Sequence, residues 1–492
     1  MTSGKRNVRD VAVLGGGLTG LTAAFYLYRE AADKGVPVRV TVWEASDRLG
    51  GKVNTLRRDG FVIERGPDSF LARKLPMVRL AEDLGLTEQL TGTNPAAKKT
   101  YISRDGVLHP MPAGLNLGVP TDPEAFLLTG LVSDEGKRRA LEETRLESAP
   151  AGQPDETVGA FLERHFGPEM VTRIFEPLLA GIYAGDLYAL GLEETFPQFR
   201  DLERQYGSLI RGMTEARRAQ SERQPDDGAK ERSIGSAFLT FRRGLSTVTE
   251  ALEERLQAYG CEIRLGTRAA SLSVLPEQRS ERLRYRLNAA DGRQIEADAV
   301  VLALPAPAIA DLLEPYADVA SMRGIHSVSV ANVVFAYDRA DIGHPLDGSG
   351  FLVPRGEGRL ITASTWTSSK WRHTAPEGKR LIRCYVGRAG EEGNVELSDA
   401  EIVAGVRRDL HELMGVDAEP AFAEITRLRH SMPQYPVGHR RAASAFLSEL
   451  GEKLPGVCPA GQPFGGVGLP DCAAEGRRAA DALLGLWRGS ED

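Results

Sequence analysis

The chain has 492 residues, which is enough for two or three domains with substantial cores. Lys and Arg total 61 and Asp and Glu total 68, so the formal net charge is −7, and a nucleic-acid-binding protein with its usual basic excess is not expected. Apolar residues make up 42% and charged residues 26%, which is the balance of a folded globular protein rather than of a disordered one.

Neither a metal centre nor a membrane span is predicted. The four cysteines have no CxxC spacing, which argues against a zinc site and against a thioredoxin-like redox motif. So few cysteines in so long a chain fit a reducing cytosol. The charge-free run of residues 11–28 is interrupted by four glycines and falls short of the roughly 20 apolar residues that a membrane helix needs. We therefore expect no transmembrane helix, no export signal and a cytoplasmic protein.

The first elements along the chain follow a dinucleotide-binding pattern. Residues 11–14 predict a strand, residues 15–20 a glycine turn, residues 21–27 an apolar helix, and residues 38–43 a second strand that ends at Glu44. This order of strand, glycine turn, helix, strand and acid is the context in which the glycine motif becomes informative. A plain βαβ unit with a glycine-rich turn is the alternative.

Each residue of the pattern has a predicted role. Gly15 permits the tight turn, Gly17 lets the backbone approach a pyrophosphate, and Gly20 lets the helix pack closely against the strand. The helix N-terminus would offer N–H groups and a positive dipole end to the phosphates. Glu44 would accept hydrogen bonds from the adenosine ribose.

Two further turns favour FAD over NAD. Gly50 and Gly51 form a second glycine pair shortly after Glu44, where the backbone can approach the same extended cofactor again. Residues 64–70 form a glycine–proline turn without helical or strand periodicity. Each turn alone would be ordinary. Together with the first motif they resemble the glycine-doublet flavoproteins, which include amine oxidases, phytoene desaturases and protoporphyrinogen oxidases.

The next part of the chain is predicted to be mainly helical. An amphipathic helix is expected over residues 74–90, and helices are expected over 157–166 and 168–183 with a break at Pro177. Residues 215–232 contain many charges and no large apolar residue, so we expect an exposed, mobile loop there.

Helices and strands alternate after residue 245. The predicted elements are a helix over 245–256 and strands over 262–265, 283–287, 294–297 and 298–305. A separate sheet is indicated by strands over 328–336, 360–366 and 380–386, which a helix over 397–414 follows with Ser398 as its N-cap. A strand over 455–460 and a glycine-rich segment precede the last helix, whose N-terminus would face a flavin and stabilise negative charge on it.

This order predicts an α/β protein with a discontinuous Rossmann-like FAD domain, a mixed-sheet substrate domain and an inserted helical domain. The FAD domain would comprise residues 1–90, 233–310 and 430–492. The helical domain would comprise residues 91–214, the loop residues 215–232, and the substrate domain residues 311–429.

Motifs spread along the whole chain carry a resemblance to a known family. They are residues 15–20, 64–71, 108–112, 176–186, 195–199, 329–333, 364–368, 374–379, 431–435 and 465–472. With these motifs the chain resembles the HemY-type porphyrinogen oxidases, most closely the coproporphyrinogen III oxidases of Gram-positive bacteria. The early motifs occur throughout the glycine-doublet amine-oxidase superfamily, whereas the later ones are much more specific.

The resemblance implies an activity. It is the FAD-dependent oxidation of coproporphyrinogen III to coproporphyrin III in haem biosynthesis, with removal of six electrons and with oxygen reduced to peroxide. Protoporphyrinogen IX oxidase is the alternative, and only the resemblance separates the two. More remote alternatives are an amine oxidase or carotenoid desaturase on the same scaffold, and a binding protein that has lost its flavin. The intact glycine pair at Gly50 and Gly51 argues against the last of these.

The resemblance also implies which residues bind FAD. They are Gly15, Gly16, Gly17, Leu18, Thr19, Gly20, Glu44, Ala45, Lys52, Gly66, Pro67, Asp68, Ser69, Ala269, Leu428, Val467, Gly468 and Leu469. Ala269 stands where the family usually has a valine near the adenine, and Leu428 stands where relatives often have a tryptophan. No metal is expected, because the cofactor carries the redox chemistry.

Lys74 and Tyr385 are the candidate catalytic residues. Lys74 lies just beyond the 64–70 turn, matches a lysine of the family and would hold a substrate carboxylate, with Lys98 and Lys99 as further candidates. Tyr385 lies on a predicted strand and would orient the ring or assist proton transfer from a pyrrole N–H. A packing role with one hydrogen bond is the alternative for a tyrosine on a strand.

The predicted partners are the porphyrinogen, oxygen and a ferrochelatase that would receive the product. No nucleic acid is expected to bind. Residues 126–128 are apolar but lack the basic face of an interfacial helix, so we expect a core helix or channel wall there rather than a membrane contact.

Overall fold

The computed structural model describes residues 8–148, 152–222, 236–275 and 284–488. Up to residue 120 the elements are β1 (Arg9–Leu14), α1 (Leu18–Lys34), β2 (Val38–Trp43), β3 (Thr55–Arg58), β4 (Phe61–Glu64), β5 (Phe70–Leu71), α2 (Pro76–Asp83), β6 (Leu90–Gly92), β7 (Lys99–Arg104), β8 (Val107–Pro110), β9 (Leu115–Asn116) and β10 (Val119–Pro120). Residues 123–258 form α3 (Pro123–Leu127), α4 (Asp134–Leu141), α5 (Val158–Phe166), α6 (Pro168–Met170), the π-helix Val171–Ala180, α7 (Gly181–Tyr183), α8 (Leu192–Thr195), α9 (Pro197–Tyr206), α10 (Leu209–Glu222), β11 (Phe238–Phe241) and α11 (Ser246–Ala258).

The remaining elements include the strands that complete the two largest sheets, the strands of a three-stranded antiparallel sheet, and the last helix. They are β12 (Glu262–Arg264), β13 (Ala269–Leu275), β14 (Arg284–Ala289), β15 (Gln294–Ala297), β16 (Ala299–Leu302), α12 (Ala306–Leu313), α13 (Ala320–Arg323), β17 (Ser327–Asp338), β18 (Gly348–Leu352), β19 (Ile361–Thr365), α14 (Thr367–Lys370), β20 (Lys379–Val386), α15 (Asp399–Met414), β21 (Phe422–Pro433), α16 (His439–Lys453), β22 (Val457–Pro459), α17 (Gln462–Gly465) and α18 (Leu469–Arg488). The three-stranded antiparallel sheet has the order β13-β14-β15. Short 3₁₀ turns lie at Thr87–Gln89, Glu142–Arg145, Arg339–Asp341, Arg355–Glu357 and Glu392–Glu396.

A parallel sheet holds the first strand at its centre. The strand order is β12-β2-β1-β16-β22, and Val11 of β1 pairs with Val40 of β2 and Ala299 of β16. The chain leaves β1 toward β2 on one side and reaches β16 on the other, so the carboxyl end of β1 is a topological switch point, where open α/β sheets bind ligands. Helices α1 and α18 pack against each other and share an apolar core with this sheet.

A seven-stranded mixed sheet forms a second layer, with the strand order β21-β17-β20-β19-β18-β7-β8. Phe335 and Ile382 on one of its faces pack with Ile402 of helix α15. Val334 and Leu381 belong to another cluster, in which they meet the hairpin β3–β4. Because alternate residues of a strand point to opposite faces, the two strands β17 and β20 each present one apolar row to α15 and another row to the hairpin.

A separate apolar core lies among the helices between residues 123 and 222. Its large and fully buried side chains are Phe126, Phe161, Phe166, Phe175 and Phe199. The break that we predicted at Pro177 is wrong, because this proline lies inside the π-helix Val171–Ala180, which is continuous with α6 and α7. Proline removes one N–H from the hydrogen-bond ladder, and the wider turn of a π-helix carries the chain past it.

Two other local predictions are corrected. The loop predicted at residues 215–232 is helical in its first part, since α10 continues to Glu222, and residues 223–232 lie outside the described residues. The described charged residues of this segment, Glu215, Arg217 and Arg218, are exposed on the helix, and Arg218 pairs with Glu215 at 3.6 Å. The helix predicted over 74–90 is only Pro76–Asp83, and the chain leaves it through Gly85, whose φ of 75° is left-handed.

The boundary predicted at residue 91 also separates strands from their sheet. Strand β7 pairs in parallel with β18, with Tyr101 opposite Phe351, and β8 pairs with β7. Both strands therefore lie in the second sheet, although their residues fall within the predicted helical segment 91–214. The three-part domain division itself stays a prediction.

Most other predicted elements are confirmed within a few residues. The hairpin at Asp291 and Gly292 joins the antiparallel strands β14 and β15. The N-cap at Ser398 is confirmed as a capping box, in which the Ser398 hydroxyl accepts a hydrogen bond from the Glu401 N–H and the Glu401 carboxylate accepts one from the Ser398 N–H.

The apolar segment at residues 126–128 is only partly buried. Phe126 is in the core as predicted, whereas Leu127 and Leu128 are 50% and 87% exposed. Among the described residues, no helix combines the length and the apolar character that crossing a bilayer requires.

Candidate cofactor and substrate site

The first glycine turn lies at the carboxyl end of β1, and two of its glycines are required by close contacts. Gly15 has a φ of 103°, and a Cβ atom there would lie 2.2 Å from the carbonyl oxygen of Ala303. A Cβ atom on Gly20 would lie 1.9 Å from the carbonyl oxygen of Gly15. The tight turn and the close approach of helix to strand that we predicted for these two positions are therefore present.

The second glycine pair lies directly against the first turn. The Gly50 N–H donates to the Gly16 carbonyl at 2.8 Å, and Gly17 and Gly50 form a parallel bridge. A Cβ atom on Gly17 would meet nothing closer than the Cα atom of Gly51, at 3.9 Å. Two stretches of bare backbone thus run side by side next to the N-terminus of α1, with room for a ligand to approach Gly17.

Glu44 lies at the carboxyl end of β2, beside the same turn. Its carboxylate accepts hydrogen bonds from the Gly16 N–H at 2.7 Å and from the Ser46 N–H at 2.8 Å. Its carbonyl accepts the Thr267 N–H at 2.8 Å, which brings the start of β13 at Ala269 close to this acid. The structure therefore groups Glu44, the exposed Ala45 and Ala269 at one edge of the glycine turn.

The last helix begins next to the first one. A Cβ atom on Gly476 of α18 would lie 2.4 Å from the carbonyl oxygen of Thr19, and one on Gly461 would lie 3.3 Å from the Thr19 hydroxyl. This contact brings helix α18 alongside α1 and the glycine turn formed by residues 15–20. Val467, Gly468 and Leu469 lie at the start of α18, and their contact with the cofactor stays a prediction.

Lys52, which follows the second glycine pair, is held by two oxygen atoms. Its ammonium donates to the Ser431 carbonyl and to the side-chain oxygen of Gln462. Burial lowers the pKa of Lys52 to about 8. Gln462 also donates to the Val467 carbonyl at 3.4 Å, so it links Lys52 to the segment before α18. Sequence reasoning missed Gln462, and no local pattern marks it.

A bulge in strand β21 positions the Ser431 carbonyl. The pairing register with β17 shifts between Val328 and Val330, and His430 has a left-handed φ of 46°. The His430 N–H donates to the Ser329 hydroxyl at 3.0 Å. Leu428 lies two residues before this bulge, half-buried on the substrate sheet opposite Val330. Its contact with the cofactor stays a prediction.

The turn at residues 65–69 packs against Lys52. A Cβ atom on Gly66 would lie 1.8 Å from the Lys52 carbonyl oxygen. Asp68 in the same turn accepts from Ser69 at 2.7 Å and from Lys370 at 3.3 Å. Burial would raise the pKa of Asp68, but the positive charges of Lys370 and Arg383 prevail and hold it well below its usual range.

The second sheet meets this turn through β17 and β20. Asn332 lies opposite Tyr385 in the register, and its amide donates to the Arg65 carbonyl at 2.9 Å. The Arg383 guanidinium donates to the Gly66 carbonyl and lies over the Tyr385 ring, 4.8 Å from its centroid. The Tyr385 hydroxyl lies 3.4 Å from that of Thr365. The predicted catalytic tyrosine is therefore next to the predicted cofactor turn.

Sequence reasoning missed Asn332 and Arg383, although a signal was available. In strand β20 the buried apolar residues Ile382 and Cys384 alternate with Arg383 and Tyr385, and β17 has Asn332 in an otherwise apolar run. Polar residues that recur with a period of two mark one face of a strand. A buried polar row of this kind needs partners, and here they are the carbonyls of the turn.

Lys74 lies at the other side of the turn. Its ammonium contacts the Asp471 carboxylate at 2.7 Å in the first turn of α18. The Lys74 side chain is 43% exposed, so it remains accessible from solvent. Of the two further candidates, Lys98 is exposed and Lys99 pairs with Asp347 at 2.5 Å.

These parts fit an extended dinucleotide. The bare backbone at Gly17 and Gly51 can approach a pyrophosphate, and a carboxylate stands at the strand end where the ribose binds in this fold. The turn at 65–69 packs against Lys52, and Gln462 connects Lys52 to the segment before α18, so we expect the flat ring of a flavin near these two segments.

Comparison with known proteins gives the same result for the whole chain. Residues 18–484 match the family of flavin-containing amine oxidoreductases. The chain is 40% identical to a coproporphyrinogen III oxidase of Bacillus subtilis (strain 168), over 99% of this chain and 100% of the relative. It is 36% identical to a coproporphyrinogen III oxidase of Staphylococcus aureus (strain NCTC 8325 / PS 47), over 97% of this chain and 99% of the relative.

A solved structure matches with similar sequence identity and coverage. A protein of Exiguobacterium sp. 255-15, proposed to be a protoporphyrinogen oxidase, superimposes with a TM-score of 0.84 and is 36% identical, over 96% of this chain and 98% of that chain. The chain therefore belongs to the flavin-containing amine oxidoreductase family, and its fold is that of the glycine-doublet superfamily. Within that family it is similar to the porphyrinogen oxidases, and its cofactor is FAD.

Proposed function

We propose that the protein is an FAD-dependent coproporphyrinogen III oxidase of haem biosynthesis. The observation that carries the proposal is a contact between the second sheet and the glycine–proline turn. Arg383, which lies over the ring of Tyr385 on the same strand, donates to the Gly66 carbonyl. This arrangement occurs in a chain that matches coproporphyrinogen III oxidases over almost its whole length.

The residues of the chain supply binding and orientation rather than a nucleophile. FAD, when bound, accepts two electrons in each oxidation step and passes them to oxygen. Residues 15–20, Glu44 and Lys52 would hold the cofactor, and the turn at Gly66–Ser69 would limit the position of its ring. Tyr385 would orient the macrocycle or take part in moving a pyrrole proton. Ala45, Ala269, Leu428 and residues 467–469 would also contact FAD and help to hold it.

The substrate is a tetra-acid, so the site needs cations. Lys74 would hold one propionate, because it is accessible and lies at the edge of the glycine–proline turn. Converting coproporphyrinogen III into the porphyrin removes six electrons and six protons, which would reduce three molecules of oxygen to hydrogen peroxide.

Protoporphyrinogen IX is the second candidate substrate. The Exiguobacterium protein, whose proposed activity is protoporphyrinogen oxidation, supports it at 36% identity. The two substrates differ in two carboxylates that are replaced by vinyl groups. A site that relies on cations such as Lys74 favours the more highly charged coproporphyrinogen.

The test compares the two substrates on the purified flavoprotein. We expect porphyrin fluorescence to appear with coproporphyrinogen III at a kcat/KM at least about tenfold above that for protoporphyrinogen IX, since one charge-assisted contact is worth about that factor. Amines and phytoene serve as controls and should not react. Equal or faster oxidation of protoporphyrinogen IX would contradict the proposed substrate, and amine oxidation would contradict the proposed reaction class.

Oxygen use, cytoplasmic location and product transfer belong to the same proposal. Three equivalents of peroxide should form for each porphyrin in air, and none without oxygen. Transfer of coproporphyrin III to a ferrochelatase would be detected as porphyrin that passes to the second enzyme without mixing with added free porphyrin.

A further inference from the structure

The second sheet donates hydrogen bonds to two consecutive carbonyl groups of the glycine–proline turn. Asn332 of β17 donates to the Arg65 carbonyl at 2.9 Å, and Arg383 of β20 donates to the Gly66 carbonyl. Asn332 is 2% and Arg383 is 3% exposed, so neither exchanges this contact for water. The opposite side of the turn is closed, because Gly66 lies against the Lys52 carbonyl with no room for a Cβ atom.

The Arg383 guanidinium has hydrogen-bond donors that the described residues do not use. Its Nε and Nη1 atoms are buried, with no hydrogen-bond partner among the described residues. The guanidinium lines a small internal cavity together with Glu64, Asp68, Thr240, Trp371 and His373. Glu64 and Asp68 stand two residues before and two residues after Gly66, so Arg383 faces the Gly66 carbonyl and an acid on either side of it.

The same side chain also contacts the predicted catalytic tyrosine. Arg383 and Tyr385 are two residues apart on β20 and therefore point to the same face of the sheet. The guanidinium lies 4.8 Å from the centroid of the Tyr385 ring, a distance at which a cation over an aromatic face is attractive. Arg383 is thus in contact with the cofactor turn and with Tyr385 at once.

We propose that Arg383 is a positioning residue that fixes the distance between the cofactor turn and Tyr385, with Asn332 as its partner on the neighbouring strand. Through this pair the second sheet is held in register with the FAD-binding loops. The inference rests on the proposed function only where it concerns turnover of the porphyrinogen. Its effect on how the turn holds FAD is independent of the substrate.

Four variants test the inference. Arg383→Gln removes the positive charge and the planar guanidinium, and Arg383→Lys keeps only the charge. Asn332→Ala removes the hydrogen bond to the Arg65 carbonyl. Arg388→Gln is the matched control, since Arg388 is another buried arginine close by on the chain that bonds to the Val353 carbonyl and to Glu391 instead of the turn.

Three quantities are measured on the holoenzyme. They are the FAD released on dilution, followed by flavin fluorescence, the visible flavin spectrum, and kcat and KM at saturating FAD. We expect Arg383→Gln to release FAD about tenfold more readily, because it loses a hydrogen bond made by a charged group. Its spectrum should shift, and its kcat should fall more than its KM rises, because misplaced reacting groups slow the chemical step. Arg383→Lys should recover part of each effect.

The control separates positioning from general stability. Arg388→Gln should lower the melting temperature about as much as Arg383→Gln, but it should retain the wild-type spectrum and FAD release. If Arg383→Gln and Asn332→Ala release FAD like the wild type and keep its spectrum, the inference is wrong. If Arg383→Gln does not fold, Arg383→Lys and Asn332→Ala decide by the same measurements. A wild-type enzyme that fails to oxidise coproporphyrinogen would instead contradict the proposed function, and FAD release would still test the positioning role.

Discussion

The ammonium group of Lys74 and the carboxylate of Asp471 lie 2.7 Å apart, although almost four hundred residues separate them in the sequence. The pair joins the segment after the glycine–proline turn to the first turn of the last helix. Since both groups are within reach of solvent, the pair contributes at most about 1 kcal/mol to stability. A substrate carboxylate can therefore replace Asp471 at little cost.

Lys74→Met should weaken substrate binding without unfolding the protein. We expect KM for coproporphyrinogen III to rise about tenfold, because one charge-assisted contact to a propionate is lost. The melting temperature should change by no more than about 2 °C, as the pair is exposed. Lys453→Met is the control, because Lys453 is an exposed lysine that pairs with Glu449 at the same distance of 2.7 Å, on helix α16. An unchanged KM in Lys74→Met would remove Lys74 from the substrate site.

Tyr385→Phe should reduce turnover while FAD stays bound. We expect kcat to fall by at least about tenfold if the hydroxyl takes part in proton transfer, and the flavin content of the purified protein should equal that of the wild type. Tyr337→Phe is the matched control, because Tyr337 belongs to the apolar cluster shared with α15 rather than to the row of Tyr385. The role of Tyr385 is ruled out if both variants turn over like the wild type.

Gly17→Ala should separate cofactor binding from folding. The added methyl group meets no protein atom closer than 3.9 Å, so the thermal stability of the FAD-free protein should be nearly unchanged. The same methyl group would occupy the space through which the pyrophosphate approaches, so the flavin content of the purified protein should fall at least about tenfold. Gly181→Ala, at a helical glycine with no atom within 4 Å, is the control and should keep its FAD. Full flavin content in Gly17→Ala would contradict the position given to the pyrophosphate.

Glu64 should make stability depend on pH. Burial raises the pKa of Glu64 to about 7, although the Leu245 N–H at 2.6 Å and the Thr55 hydroxyl at 2.9 Å favour the ionised form. Between pH 4.5 and 7 the folded protein therefore holds a proton that the unfolded chain has released, so the contribution of Glu64 to stability is present below pH 4.5 and is lost as the pH rises through 7.

The measurement is urea unfolding of the wild type and of Glu64→Gln at several pH values. The stability of the variant relative to the wild type should increase by about 3 kcal/mol from pH 4.5 to pH 7 and then level off. Glu254→Gln, on the exposed surface of α11, should show no such trend. A flat difference between Glu64→Gln and the wild type would mean that Glu64 titrates normally.

The parts of the site that are local in sequence could be predicted. The roles of Gly15 and Gly20 follow from a turn of six residues, and the Ser398 cap follows from four. In contrast, the contacts of Asn332 with Arg65 and of Arg383 with Gly66 join residues 267 and 317 positions apart. The alternation of polar and apolar residues can indicate that a strand has a polar face. It cannot show that the polar faces of β17 and β20 contact the turn at Arg65 and Gly66.

The mistaken local predictions have a different origin. A π-helix accommodates Pro177, and the charged residues after Glu215 continue an exposed helix with an ion pair between Glu215 and Arg218, so neither feature ended the helix. The domain boundary at residue 91 stays a prediction, but the sheet to which β7 belongs could not be predicted locally, because β7 pairs with β18, almost 250 positions later. Propensity describes an element in isolation, whereas pairing depends on the rest of the fold.

The close packing of α1 and α18 has a consequence for biosynthesis. Helix α18 lies beside Thr19, so the two halves of one binding cleft come from distant segments, and Thr19 and Gly476 are 457 positions apart. The ribosome must synthesise all of that intervening chain before the cleft can close. Until then the nucleotide site is incomplete, so we expect FAD to bind only after α18 has been synthesised.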